Sequence, residues 1–449
     1  MRKGLTRMAA FTVMLGTLMF GTNVNAQKIK VDAKNFPDSE MRNAVEAMFR
    51  DEDGTTWINN TMYVETDKVE FLSLFSDGDD DNPFNIKDIK GLELFTDLTS
   101  LTIAFNGNDL TISNSKLEEL NVTTDSDITV NSPSLKKLVI DTNKTINKAD
   151  VSGVPSVTEC SVAFGNNAKN VSVIGLEKLT KLNNLSLGAE SYENFDVDKL
   201  PALSYLSLDG LKSSSFNIGN EKLEIVSFGS VNIDSLDLTA CTNLKGIYAS
   251  PMAHIVKNIS MPDSIVTLFL SDCSLESIDV SKCKNLKTAR LDGNKLSGID
   301  VSKNSKLELL DVGGNSKIKK IDVSKNKKLK FVNALDTNVS KIKTPNNKNL
   351  AMAFSVKRGK TIKTSNYFGK GYTMDVSKKA KKKSPMELYD FLPFYKISDC
   401  KINFASNMVK YNKKKGTITL SKKAKKGKVS YCCYMKKGKT IRKIYICAK

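Results

Sequence analysis

Leu286-Lys-Thr-Ala-Arg-Leu-Asp-Gly-Asn294 decides the fold: apolar residues stand at offsets 0, 3 and 5 and an asparagine at offset 8. The same spacing returns 21 residues later as Leu307, Leu310, Val312 and Asn315. Successive side chains of an extended strand point to opposite faces, so offsets 3 and 5 share one face while 2, 4 and 6 share the other. One face is committed to a core and the other is free to bind.

Working outward, units in this frame begin at Leu98, Leu117, Leu135, Val157, Leu182, Leu203, Leu223, Leu244, Ile265, Leu286, Leu307, Leu329 and Leu350. The pattern L-x-x-L-x-L-x-x-N is that of leucine-rich repeats. The second half of each unit is patterned too, as Ile278-Asp-Val-Ser281, Ile299-Asp-Val-Ser302 and Ile321-Asp-Val-Ser324, with Leu236-Asp-Leu-Thr239 and Phe195-Asp-Val earlier. Two apolar residues around one polar residue predict an extended return segment on the opposite side of a solenoid. Offset 8 must satisfy turn backbone, which suits an amide that donates and accepts at once. Asn106, Asn143, Asn294 and Asn315 fit, Cys273 is the alternative, and Leu211, Val231 and Met252 depart, so the middle of the array is expected to be irregular.

The expected fold class is therefore mainly β: a leucine-rich-repeat solenoid of about 13 units with a helical N-terminal cap and a small C-terminal β-sandwich. A solenoid exposes its core at each end and needs caps. Residues 38–50 read as helix, with Asp38 or Ser39 as N-cap and Met41, Val45, Met48 and Phe49 on one face. Beyond about residue 371 the frame is lost and short apolar runs alternate with Lys/Gly turns, a sandwich pattern.

Together with the I-D-V-S-x-N returns, the segments Asn35-Phe-Pro-Asp-Ser-Glu-Met-Arg42 and Ile89-Lys-Gly-Leu-Glu-Leu-Phe-Thr-Asp-Leu-Thr-Ser-Leu101 carry a resemblance over residues 34–360. The chain resembles secreted leucine-rich-repeat proteins of gut and rumen bacteria and, more loosely, the internalins; its end resembles bacterial immunoglobulin-like modules. The resemblance implies a scaffold that displays a binding face. It names no ligand, because a shared fold leaves the partner open.

Residues 1–26 read as a secretory signal peptide: Arg2, Lys3 and Arg7 precede the apolar stretch Met8–Phe20, and Val24-Asn25-Ala26 suits cleavage near Ala26. No later segment has the roughly 20 apolar residues of a membrane span. The expected division is 1–26 signal peptide, 27–97 cap, 98–370 solenoid and 371–449 basic module. Charge supports the last boundary. Of the whole-chain net charge of +19, residues 351–449 carry 27 Lys or Arg against four acids, and with the three leader cations removed residues 27–350 stand at −7.

Catalytic chemistry is scarce. His254 is the one histidine, which removes most Ser-His, Cys-His and His-metal arrangements, and no phosphate loop, zinc spacing or dinucleotide fingerprint occurs. The expectation is no enzyme, no cofactor and no metal. Asp77-Gly-Asp-Asp-Asp-Asn82 tempts a calcium assignment but lacks the glycine an EF-hand loop requires, so a solvated acidic turn accounts for it better. Cys241 and Cys283 share offset 18 two units apart, too distant for a disulfide, and Cys160 and Cys273 fall at structural offsets, so all four are expected reduced. Cys432 and Cys433 point to opposite faces of a strand, so one of them can pair with Cys400 or Cys447, and reduced thiols throughout would suit an anaerobic habitat equally well.

These readings predict a secreted or cell-surface protein that presents a concave face to a protein or glycan ligand. Offset 2 supplies Tyr205, Ile225, Leu309 and Phe331, and offset 4 supplies Tyr248, Phe269, Arg290 and Asp311. Large apolar, aromatic and arginine side chains on a face that folding does not need suit an interface; a shifted register that buries the rings is the competing assignment. The alternative function is an envelope-retained spacer held to anionic wall polymer by its basic module. Nucleic-acid binding would account for that module but clashes with export.

Overall fold

The computed structural model describes residues 28–50, 55–75, 85–249, 254–345, 350–368, 373–375, 408–437 and 440–449, apart from Asn143, Asn166, Asn194, Asp196, Lys425, Gly427 and Lys428. The leader, the acidic run Asp77–Asn82 weighed for calcium, Met252 and Cys400 lie outside them.

The chain folds as a mainly β solenoid. Strands Ser100–Phe105, Glu119–Thr124, Lys137–Asp141, Glu159–Ala163, Asn184–Gly188, Tyr205–Asp209 and Ile225–Gly229 pair in parallel and in register. Gly246–Ala249, Thr267–Phe269, Thr288–Arg290, Leu309–Asp311, Phe331–Ala334 and Ala351–Val356 continue the ladder. Offsets 3 and 5 bury one stack of side chains: Leu206 and Leu208, Val226 and Phe228, Leu310 and Val312. Parallel ladders carry each unit's register to the next, so one repeated leucine spacing builds one continuous core.

The return side is extended, as the I-D-V-S pattern implies, but its pairing is broken into separate parallel sheets. These are Leu110–Ser113 through Ser172–Ile174, Lys212–Asn217 through His254–Ser260, and Lys320–Asp322 with Lys341–Lys343. The aspartate of the motif makes an Asx turn: Asp279, Asp300 and Asp322 each accept the amide of the serine two residues on, at 2.8, 2.8 and 3.0 Å. For Asp279 and Asp300 the Ser281 and Ser302 amides hold the carboxyl below its ordinary range.

The ladder begins earlier than the sequence frame. Phe71–Leu74, inside the region assigned to the cap, pairs in parallel with Ser100–Phe105. Its F-L-S-L pattern matches a unit, but a long acidic stretch separates it from the next strand and hides the period. Ahead of it, helix Ser39–Phe49 buries Met41, Ala44, Val45 and Phe49. Asp38 Oδ1 caps it by accepting from Met41 N at 2.9 Å, and Oδ2 accepts from Lys87 N at 3.0 Å, pinning a segment some fifty residues on.

The far end differs from expectation in two ways. Met352 and Phe354 stand opposite Val332 and Ala334, so the core positions of the last unit lie at offsets 2 and 4 from Leu350; its frame starts one residue earlier. Strand Thr440–Ala448 then pairs in parallel with Ala351–Val356, and Thr361–Lys363 pairs with Thr417–Leu420. The described C-terminal strands therefore continue the ladder and share its core through Ile418, Leu420, Ile444 and Ile446. A boundary at 370/371 cuts through these pairings. Charge and loss of period marked it, and neither senses strand pairing.

Candidate binding face

Register places the offset-4 side chains in one lane. Ser161, Ser186, Ser207, Ser227, Tyr248, Phe269, Arg290, Asp311 and Asn333 stand opposite one another on successive strands. The serine half of this lane was not among the expected residues, although serine at offset 4 recurs in four consecutive units.

At its centre three expected residues touch. Tyr248 meets Phe269 edge to face with ring centroids 5.2 Å apart at 79°, and the Arg290 guanidinium carbon stands 5.0 Å from the Phe269 centroid. All three are half-buried, the usual state of an amphipathic platform. Gly246 makes room for the tyrosine: a Cβ there would lie 2.6 Å from Tyr248 Cε2. Tyr205 and Ile225, neighbours in the offset-2 column, and Leu309 beside Thr288 are also half-buried.

Two expected residues are not on the open face. Phe331 is 0% exposed and Asp311 5%, and the offset-2 and offset-4 positions that follow, Asn333, Ala351 and Ala353, are buried as well. The outward face is thus closed at Asp311 and from the Phe331–Ala334 strand onward, with Leu309 still half-buried at the margin. Offset decides which face a side chain joins, but whether that face is covered depends on chain elsewhere. Asp311 Oδ1 accepts from Gly313 N at 2.9 Å and Asn333 Nδ2 at 2.8 Å. Burial pushes its carboxyl up to about 7, Asp292 adds to the rise, and the Gly313 and Asn333 bonds and Arg290 offset only part of it. Asp272, raised by burial and by Asp292, completes a carboxylate group at this rim, where Ser271 Oγ donates to Asp292 at 2.6 Å. Gly293 lies between: its φ of +69° and the 1.8 Å that would separate a Cβ from Asp272 Oδ1 both exclude a side chain.

Offset 8 behaves as expected at Asn294 and Asn315, whereas Asn106 is exposed and Asn143 lies outside the described residues. Asn294 Nδ2 donates to Leu270 O and Leu291 O at 2.6 and 3.0 Å while Oδ1 accepts Leu275 N at 2.9 Å; Asn315 repeats this against Leu291, Val312 and Leu296. A second polar ladder on the return side escaped the sequence argument. Asn220, Asn304 and Asn326 each donate twice to buried carbonyls of the preceding unit, and Cys241 and Cys283 take equivalent places, donating to Ile218 O and Pro262 O. Its signal was the closing Asn of I-D-V-S-x-N. Cys160, Cys241, Cys273 and Cys283 are buried reduced thiols, and burial pushes Cys160 and Cys273 up to about 12. His254 opens a return-side strand, and its side chain lies outside the described residues. Among the described residues, no helix is long and apolar enough to cross a membrane.

No protein-family model and no curated protein matches the sequence. Among solved structures it is similar to the functional domain of InlJ from Listeria monocytogenes, at 16% identity over 95% of this chain and 100% of that one, TM-score 0.34. It is also similar to the internalin InlF of that organism, at 17% identity over 72% and 94%, TM-score 0.43. A third likeness is to the Listeria monocytogenes internalin InlC2, at 17% identity over 64% and 100%, TM-score 0.27.

Proposed function

We propose that this chain is an exported, non-enzymatic binding protein, and that the open part of its concave face, centred on Tyr248, Phe269 and Arg290, holds a protein or glycan ligand outside the cell. The observation that carries this reading is the contact of those three half-buried side chains on a face the core does not require. Two rings and a guanidinium offer apolar area, π faces and a fixed charge with little rotamer freedom to lose on binding. In this reading the 13 units counted in sequence form the body of the solenoid, between the added rung Phe71–Leu74 and the strand Thr440–Ala448, the helix at Ser39–Phe49 is its cap, and the immunoglobulin-like likeness of the C-terminal strands reflects a closing element built onto the ladder. Capture of ligand by the full chain should fall at least ten-fold in Tyr248→Ala/Phe269→Ala, with the unfolding midpoint nearly unchanged. Undiminished capture would move the site elsewhere. Phe331 is left out of this test because its burial would confound folding with binding.

A second reading is favoured by the exposed lysines Lys410, Lys413, Lys414, Lys415, Lys422 and Lys423. They suit retention on an anionic envelope polymer, with the concave face still free. Elution of the full chain from purified wall material by salt, and its weakening in Lys413→Glu/Lys415→Glu, would support that attachment.

A further inference from the structure

The −7 carried by residues 27–350 is unevenly placed, because residues 282–350 alone hold 17 Lys or Arg against six acids. The excess is concentrated where each return segment bends into the next strand of the main ladder. The turn at 282–287 carries three lysines, that at 303–308 two and that at 325–330 four, and all nine are exposed. Against them stand Glu308 and the Asx aspartates Asp279, Asp300 and Asp322. The four turns before these, at 199–204, 219–224, 240–245 and 261–266, hold three lysines and three acids. Leu244 N donates to Cys241 O in one of them just as Leu286 N donates to Cys283 O, at 2.9 and 3.1 Å, so the bend forms without the charge. Register stacks the basic turns. Asn304 and Asn326 donate to Cys283 O and Asn304 O of the unit before, at 2.7 and 2.8 Å, which places Lys282, Lys303 and Lys325 on successive rungs about 4.8 Å apart. Glu308 N donates to Lys287 O and Lys330 N to Glu308 O, both at 2.7 Å, so Lys287 and Lys330 flank Glu308. The Lys330 hydrogen bond, aided by Lys287 and Lys328, holds the Glu308 carboxyl below its ordinary range.

What this strip lacks narrows its occupant. Residues 282–330 include no aromatic residue, and none of the exposed large apolar side chains among the described residues lies here. There is no ring on which a base could stack, no apolar side chain to enter a bilayer, and no anchor of the kind that gives a protein interface its affinity. No arginine stands in the three turns, so the strip is not built to clamp one carboxylate or phosphate through two parallel bonds. What remains is point charge repeated at rung intervals. Exposed Asn285 and Ser305 stand between the lysines, and their side chains donate and accept hydrogen bonds as sugar hydroxyls require. We infer that these turns bind a linear acidic polysaccharide, its anionic groups lying along the lysines and its hydroxyls meeting the polar side chains between them. The strip is separate from the platform of Tyr248, Phe269 and Arg290 and from the lysines at 410–423, so it stands or falls apart from either.

Affinity electrophoresis of the full chain through gels holding polygalacturonate, heparin or uncharged dextran tests this, the first two separating carboxylate from sulfate as the anion. The expected result is retardation by one or both acidic polymers relative to dextran, relieved as salt screens the charges. Lys282→Glu/Lys303→Glu/Lys325→Glu should weaken apparent binding about ten-fold or more, since each lysine lost leaves counterions on the polymer. The unfolding midpoint should hold, because the three side chains are exposed. If charge reversal beside Asp279, Asp300 and Asp322 lowers it, the triple Lys→Gln variant, which adds no repulsion, carries the same test. Tyr248→Ala/Phe269→Ala and Lys413→Glu/Lys415→Glu should leave retardation unchanged. Passage of the wild-type chain through both acidic gels as through dextran would overturn the inference, as would retardation undiminished in the triple variants. Loss in Lys413→Glu/Lys415→Glu alone would assign the binding to the C-terminal lysines instead, against the strip. Tighter binding in solution to duplex DNA or to anionic lipid vesicles than to either polysaccharide would equally refute a sugar polymer as the occupant.

Discussion

Asn315→Ala isolates what one amide contributes to the junction between two units. The wild-type side chain is fully buried, donates from Nδ2 to Leu291 O, Val312 O and Gly313 O at 2.8, 3.0 and 3.2 Å, and accepts from Leu296 N at 2.9 Å. The three carbonyls do not become orphans, because Leu291 O keeps Asn294 Nδ2, Val312 O keeps the backbone amide of residue 315, and Gly313 O keeps Gly293 N. The Leu296 amide has no such second partner, so it is stranded in the interior at about 1–3 kcal/mol, and the two lost Nδ2 protons add roughly 0.5–1.5 kcal/mol each. The expected cost is therefore about 2–6 kcal/mol. Asn315→Asp should cost more at neutral pH, because a carboxylate would face three carbonyl oxygens with nothing to donate. Native-state hydrogen exchange checks this locally: the Leu296 amide should lose protection in the alanine variant, while the Leu275 amide, held by Asn294 Oδ1 at 2.9 Å, serves as the control one unit away. If Leu296 exchanges as slowly as Leu275 and the unfolding midpoint is unmoved, the amide is not what joins these units.

Asp311 has a folded pKa near 7 against an ordinary 3.8, so folding favours its protonated form. Stability should be fullest below about pH 4 and fall as pH rises toward and through 7. Asp311→Asn keeps an acceptor for Gly313 N and Asn333 Nδ2, so it should flatten that decline and be the more stable chain at pH 8; denaturant midpoints across pH 4–8 decide it. Leu310→Ala removes a fully buried core leucine and should cost about 2–5 kcal/mol, measured against half-buried Glu308→Ala, which should cost less than about 1 kcal/mol through its 2.5 Å pair with Lys330. Because burial lifts the Cys160 and Cys273 thiols to about 12, native protein at pH 8 should leave both unalkylated until it unfolds; rapid labelling in the native state would refute their burial.

The period of 21 made the core legible, since Leu286, Ala289 and Leu291 carry their positions in their spacing and the fold buries all three. Asn294 and Asn315 were legible for the same reason. Phe331 was not: it shares its offset with half-buried Leu309, and the difference is whether other chain covers that stretch of the face, which no local pattern encodes. The first rung at Phe71 escaped because an acidic interruption breaks the period, and the shift at Leu350 escaped because a leucine stands one position beyond the frame. The lane of Tyr248, Phe269 and Arg290 could be read as one face, but their contact depends on the ring of Tyr248 lying over Gly246.

The two asparagine ladders bear on how such a chain changes length. Every bond they make to another unit runs one unit back: Asn315 serves Leu291 and Leu296, as Asn294 serves Leu270 and Leu275, and Asn326 serves Val301 and Asn304, as Asn304 serves Val280 and Cys283. Excising residues 286–306 would bring Asn315 to the place of Asn294 and Asn326 to that of Asn304, with each carbonyl and amide meeting the same type of partner. The junction between units is thus a standard coupling. Gene duplication or deletion in steps of one unit can lengthen or shorten the display surface without redesigning any interior contact, leaving selection to act on the outward side chains alone.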